Sequence, residues 1–193
     1  MTSPRDHVGP FIGVFGGSFN PPHLAHVLAA TVVLSCFEVE RLLVVPSYQH
    51  PFAKSLAPYD DRVKMCELAM GWLPGVTVSR VEEELGGESK TLRTIEHLME
   101  RFPDRPFRFV MGADIMLEAS KWFRFDRITE LAPPIVLGRV GVDYPGAPRP
   151  VLPEVSSTEI RAKLKSGAVD AIADVVPRSV IAYARERGLY TST

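Results

Sequence analysis

Phe11-Ile12-Gly13-Val14-Phe15-Gly16-Gly17-Ser18-Phe19-Asn20-Pro21-Pro22-His23-Leu24-Ala25-His26 is the stretch on which the reading of this chain turns. Its first five residues form an apolar run of the kind buried in a parallel sheet, and it leads into an alanine-rich helix beginning at His23. Gly16 and Gly17 let main-chain N–H groups approach an anion with no Cβ in the way. Pro21 and Pro22 suit the start of a helix, where a missing N–H costs nothing. His23 and His26 share one helical face near its positive end. Each feature alone has an ordinary reading, a tight turn or a satisfied histidine. Together they predict a phosphate site with two imidazoles in it. His-x-x-His is also a zinc spacing, but no nearby cysteine or carboxylate completes a ligand set, so no protein-bound metal is expected.

Outward from this stretch, strands alternate with helices. Arg41–Pro46, Val76–Val78, Phe107–Met111 and Ile135–Leu137 read as strands; His23–Phe37, Tyr59–Gly71, Thr91–Phe102 and Pro177–Arg187 read as helices. This order predicts a Rossmann-like, doubly wound α/β fold: a mostly parallel sheet with helices on both faces and ligands beyond the carboxyl ends of the strands. Gly112-Ala113-Asp114 follows a strand directly, as Gly16-Gly17 does, so both fall on one rim. Pro145–Pro153 reads as an extended connector. Ser156 with Glu159 reads as a capping box opening a helix toward Lys165. Arg161 near the start of that helix opposes the dipole, which suggests an anionic partner.

The 193 residues, 46% of them hydrophobic, suffice for one domain over 1–193, with 1–10 as a flexible tail and 154–193 as its C-terminal helical part. A net charge of −1 with interspersed signs argues against a general nucleic-acid or membrane surface. Cys36 and Cys66 read as buried free thiols in a reducing cytoplasm. Met1–Pro10 lacks the apolar core of a signal peptide. Oligomeric state is left open, self-association included.

Gly16–His26 resembles the (H/T)xGH signature of adenylyltransferase-type nucleotidyltransferases. From about Phe11 to Tyr190 the chain is similar to the bacterial nicotinate-nucleotide adenylyltransferases, with Gly112-Ala113-Asp114, Trp122 and Ser156-Ser157-Thr158-Glu159-Ile160-Arg161 in matching places. The resemblance implies AMP transfer from ATP to nicotinate mononucleotide, a step of NAD biosynthesis, with His23, His26 and Arg161 as catalytic residues. It implies an ATP site of Gly16, Gly17, Ser18, Phe19, His23, His26, Gly112, Asp114, Arg139, Ser157, Thr158 and Arg161. It places Asn20, His50, Lys54, Lys90, Thr91 and Trp122 at the mononucleotide, Trp122 by stacking on the pyridine ring. Mg²⁺ would arrive with ATP, held by phosphate and water. The partners are thus ATP and a pyridine mononucleotide, with neither nucleic acid nor membrane.

The chain departs from the family pattern in four places. Ala25 stands for a usual glycine and Asn20 for a frequent aspartate. Gln49–Lys54 replaces a Pro-Pro-His-Lys segment, and Ser89-Lys90-Thr91 replaces Ser-Tyr-Thr. The last two touch the mononucleotide, so the acceptor is the less secured half of the reading. Lys90 and the helix start beside it are expected to favour a carboxylate. Alternatives are nicotinamide mononucleotide or another phosphomonoester such as phosphopantetheine as acceptor. A nucleotide sensor keeping the fold without turnover is the non-enzymatic alternative.

Overall fold

The computed structural model describes residues 10–49, 56–118, 122–143 and 146–191. Its elements are strands β1 (Phe11–Gly17), β2 (Val39–Pro46), β3 (Val76–Val78), β4 (Phe107–Gly112), β5 (Pro134–Arg139) and β6 (Pro150–Leu152). The helices are α1 (Leu24–Cys36), α2 (Tyr59–Met70), α3 (Val81–Leu85), α4 (Thr91–Arg101), α5 (Ala113–Met116), α6 (Phe125–Leu131), α7 (Ser157–Lys165) and α8 (Arg178–Glu186). The expected tail falls almost wholly outside the described residues.

The strands make one sheet in the order β3-β2-β1-β4-β5-β6, every pair parallel. The Rossmann-like doubly wound fold is therefore present. Both faces are covered, which explains the unbroken apolar runs. Leu42 and Val44 of β2 enter the core that includes α1, α2 and α8, while Leu43 and Val45 enter the one with α4 and α6. The order reverses between β1 and β4. The crevice beyond their carboxyl ends is where such a sheet takes ligands.

Four local expectations are corrected. Pro21 and Pro22 precede α1 rather than start it; the N-cap is His23, with extended backbone. The Pro145–Pro153 connector contains β6, because Pro150 and Leu152 pair with Gly138 and Arg139 at the sheet edge, where a proline's missing donor is tolerated. Cys36 is exposed, since it is the last residue of α1 and turns off the core; Cys66 is buried as expected. At α7, Ser156 is the N-cap, but its Oγ accepts from the Thr158 N–H at 3.3 Å rather than from Glu159, so a single cap bond replaces the expected Ser156–Glu159 box. Among the described residues no helix is long and apolar enough to cross a membrane.

Candidate active site

The rim beyond β1 is shaped by the turn after Gly17. A Cβ on Gly16 would meet nothing within 4 Å, so the main chain is open to approach there. Phe19, at a left-handed φ of 44°, turns its ring inward under the turn, edge-on to Phe15 and with its centroid 4.9 Å from that of His26. It is buried, so of the expected ATP residues it serves as the floor of the site.

His23 and His26 are brought together at the N-terminus of α1, ring centroids 3.9 Å apart. The His23 main-chain N–H donates to His26 Nδ1 at 3.1 Å. A neutral imidazole that accepts at Nδ1 carries its proton on Nε2, so the His26 tautomer is set by the backbone. Burial, aided by the Arg139 charge, lowers the His23 pKa to about 4. Burial, then His23 and Arg139, hold His26 well below the usual imidazole value. Both rings are neutral near pH 7. His23 Nδ1 is buried with no hydrogen-bond partner among the described residues.

Arg139, at the end of β5, ion-pairs with Asp114 Oδ2 at 3.1 Å and also donates to the Val155 carbonyl. Asp114 sits in the first turn of α5, whose N-cap is Gly112. A Cβ on Gly112 would lie 2.4 Å from Asp114 Oδ1, so a side chain here would displace that carboxylate. Asp114 Oδ1 is buried and unpartnered among the described residues, an acceptor at the rim beyond β4.

The start of α7 reaches the same turn from the other side. Arg161 donates to the Asn20 carbonyl at 2.8 Å and to Thr158 Oγ1 at 3.2 Å; Ser157 Oγ donates to the Pro21 carbonyl at 3.1 Å. A cavity of about 890 Å³ opens beside them, lined among others by Ser18, Ser157, Thr158, Arg161, Lys165 and Tyr190. Lys165 and Tyr190 escaped the sequence reading. Lys165 was visible as a second cation four residues after Arg161 on one helix face; Tyr190 carries no local signal.

The expected mononucleotide residues are less gathered. Asn20 is 1% exposed, and its Oδ1 accepts from Ala57 N at 3.0 Å and Tyr190 Oη at 2.8 Å, so it ties loops together. Lys90 is the N-cap of α4, with Thr91 the first helical residue. Its Nζ pairs with Glu88 at 3.2 Å and lies over the Phe123 ring, so it is not the free charge expected. Trp122 packs edge-on against Phe109 and Phe125, whereas its neighbour Phe123 is 64% exposed. These edge-on contacts leave the Trp122 ring half-buried. His50 and Lys54 lie outside the described residues. Glu82, also missed, is a buried carboxylate that accepts from Tyr48 N, Ser89 and Thr94, holding the β2 end against α4.

Residues 14–163 match the family model described as cytidylyltransferase-like. A chain from Anaeromyxobacter sp. (strain K), named a probable nicotinate-nucleotide adenylyltransferase, is 47% identical over 186 residues, 94% of this chain and 97% of that one. One of the same name from Thermus thermophilus is 37% identical over 93% of this chain and 98% of its own. Among solved structures, a Plasmodium falciparum nicotinic acid mononucleotide adenylyltransferase complexed with NaAD superposes with a TM-score of 0.81. It covers 94% of this chain and 97% of its own at 18% identity, a likeness of fold.

Proposed function

Since the chain belongs to the cytidylyltransferase-like family and, within it, to the nicotinate-nucleotide adenylyltransferases, we propose that it transfers AMP from ATP to nicotinate mononucleotide. An oxygen of the mononucleotide phosphate forms a bond to the α-phosphorus of ATP. The bond from that phosphorus to the bridging oxygen breaks, pyrophosphate leaves with the electron pair, and deamido-NAD is the product. The attacking phosphate, with a second pKa near 6, is already largely ionised at neutral pH, so no general base is required. What remains is positioning and charge stabilisation.

The observation that carries the reading is the hydrogen bond from His23 N–H to His26 Nδ1, which leaves Nε2–H of a neutral ring as a fixed donor at the β1–β4 crevice. His26 would donate to a non-bridging α-phosphate oxygen. His23 would meet the phosphate chain beside it. Main-chain N–H groups at Gly17 and Ser18 add fixed donors. Arg161, with the α7 N-terminus at Ser157 and Thr158, would hold the β and γ phosphates. Asp114 Oδ1 would accept from a ribose hydroxyl, with Arg139 holding the carboxylate in place.

The donor set here is imidazoles, amides and guanidinium, which suits phosphate oxygens. The Asp114 carboxylate is already paired with Arg139, and no group of three or more metal-binding side chains occurs among the described residues. Mg²⁺ fits as an ion carried by the triphosphate and ligated by phosphate and water, where it would neutralise phosphate charge.

The test is AMP transfer to nicotinate, nicotinamide and phosphopantetheine acceptors, followed by pyrophosphate release. The α4 N-terminus, with its free N–H groups, favours the nicotinate carboxylate by about ten- to a hundredfold in kcat/KM. Equal or better use of the amide overturns the acceptor, and transfer to none overturns the activity.

A further inference from the structure

Arg62, one turn into α2, is 2% exposed and is the largest fully buried side chain described. Each of its three nitrogens donates. Nε donates to the Ala57 carbonyl at 2.9 Å, Nη1 to the Ser18 carbonyl at 3.0 Å and Nη2 to the Ser47 carbonyl at 2.8 Å. These acceptors belong to the turns after β1 and β2, on either side of the ligand rim. None is a carboxylate. The groups around it are Tyr59, Tyr190, Cys66 and Glu82, and the Glu82 oxygens are taken by Tyr48 N, Ser89 and Thr94. A guanidinium stays protonated even when buried, so a positive charge with no hydrogen-bonded counter-ion among the described residues sits under the turn after β1. Burying such a charge is expensive, and carbonyl dipoles offset it only in part. Three carbonyls on a packing residue would not need a cation. An anion bound nearby would.

Ser18 lies between the guanidinium and the cavity: its carbonyl faces Arg62 while the residue lines the cavity wall shared with Arg161. The Ala57 peptide N–H donates to Asn20 Oδ1 and the Ala57 carbonyl accepts from Arg62, while the Asn20 carbonyl accepts from Arg161. A continuous chain of contacts therefore joins the buried cation to the one at the cavity.

We propose that Arg62 is a positioning residue for adenylyl transfer, holding the Ser18, Ser47 and Ala57 carbonyls in one frame and lending a buried positive charge to the leaving pyrophosphate. This rests on the adenylyl-transfer reading above. Arg62→Lys keeps the charge but cannot span three carbonyls; Arg62→Gln removes the charge. Each is measured with inorganic pyrophosphate binding by calorimetry and with steady-state kinetics, well below the melting temperature and with the fold checked by circular dichroism.

Arg62→Lys is expected to bind pyrophosphate within about threefold of the parent yet lose tenfold or more in kcat, because the frame is loosened. Arg62→Gln is expected to lose about tenfold or more in both. Parent-like pyrophosphate binding and kcat in folded Arg62→Gln would overturn the proposal, as would a parent-like kcat in Arg62→Lys. If Arg62→Gln does not fold, the split between binding and kcat in Arg62→Lys decides. Pyrophosphate binding needs no acceptor, so a parent enzyme inert toward nicotinate mononucleotide would sink the functional reading while leaving the charge comparison intact.

Discussion

At the scale of single residues, His26 and His23 carry the most consequence. A neutral Nε2–H donor fixed by the backbone costs no reorganisation when charge builds on the α-phosphate. His26→Ala is therefore expected to lower kcat by about a hundredfold or more with a smaller change in ATP KM, in stopped or continuous pyrophosphate assays. Turnover close to the parent would remove His26 from the chemistry. His23 gives a thermodynamic handle. Its folded pKa, about 4, lies below the ordinary 6.5, so below neutrality the unfolded chain binds the additional proton. Its neutral burial supports the fold fully above pH 6.5, and that support is lost as pH falls through 4. Melting temperature should drop over this window more steeply in the parent than in His23→Asn; parallel curves would deny the burial its role. Both histidines were legible from spacing. The His26 tautomer was not, because it depends on His23 being the N-cap rather than an interior residue.

At the scale of elements, α7 shows what a pattern can and cannot reveal. Its cap and cation were readable at Ser156 and Arg161, but Arg161 already spends one hydrogen bond on the Asn20 carbonyl. It has a structural duty besides the phosphate contact proposed for it. Arg161→Ala should raise ATP KM and lower kcat. Arg161→Lys should restore only part of either, since lysine lacks the fork. Loss of melting temperature with kinetics intact would leave only the structural duty. Ser156→Ala should cost about 1 kcal/mol in urea unfolding, the usual value of a lost cap. Long amphipathic helices such as α4 announced themselves. The short α3, α5 and α6 did not, being five, four and seven residues long, too few for periodicity to register. β6 was hidden by prolines that an edge strand accepts.

At the scale of the whole molecule, the parallel sheet, its two covered faces and the shared rim followed from strand–helix alternation, whereas the strand order did not. The long-range fastenings did not, since no local pattern specifies a partner far along the chain. Asp61 of α2 accepts from Tyr183 of α8 and from Arg187, the α8 C-cap, and Tyr190 donates to Asn20 across 170 residues. Tyr190→Phe should lower stability by about 0.5–1.5 kcal/mol, since Asn20 Oδ1 then keeps, among the described residues, its Ala57 donor alone. It should also raise ATP KM, and unchanged values of both would make the contact incidental. The Tyr190–Asn20 bond also sets an order of events during synthesis. A ribosome that has delivered residues 10–152 has released every strand described here, and the sheet can pair in the nascent chain. The turn after β1 then waits, while some 170 further residues are made, for the Tyr190 hydroxyl that ties it down.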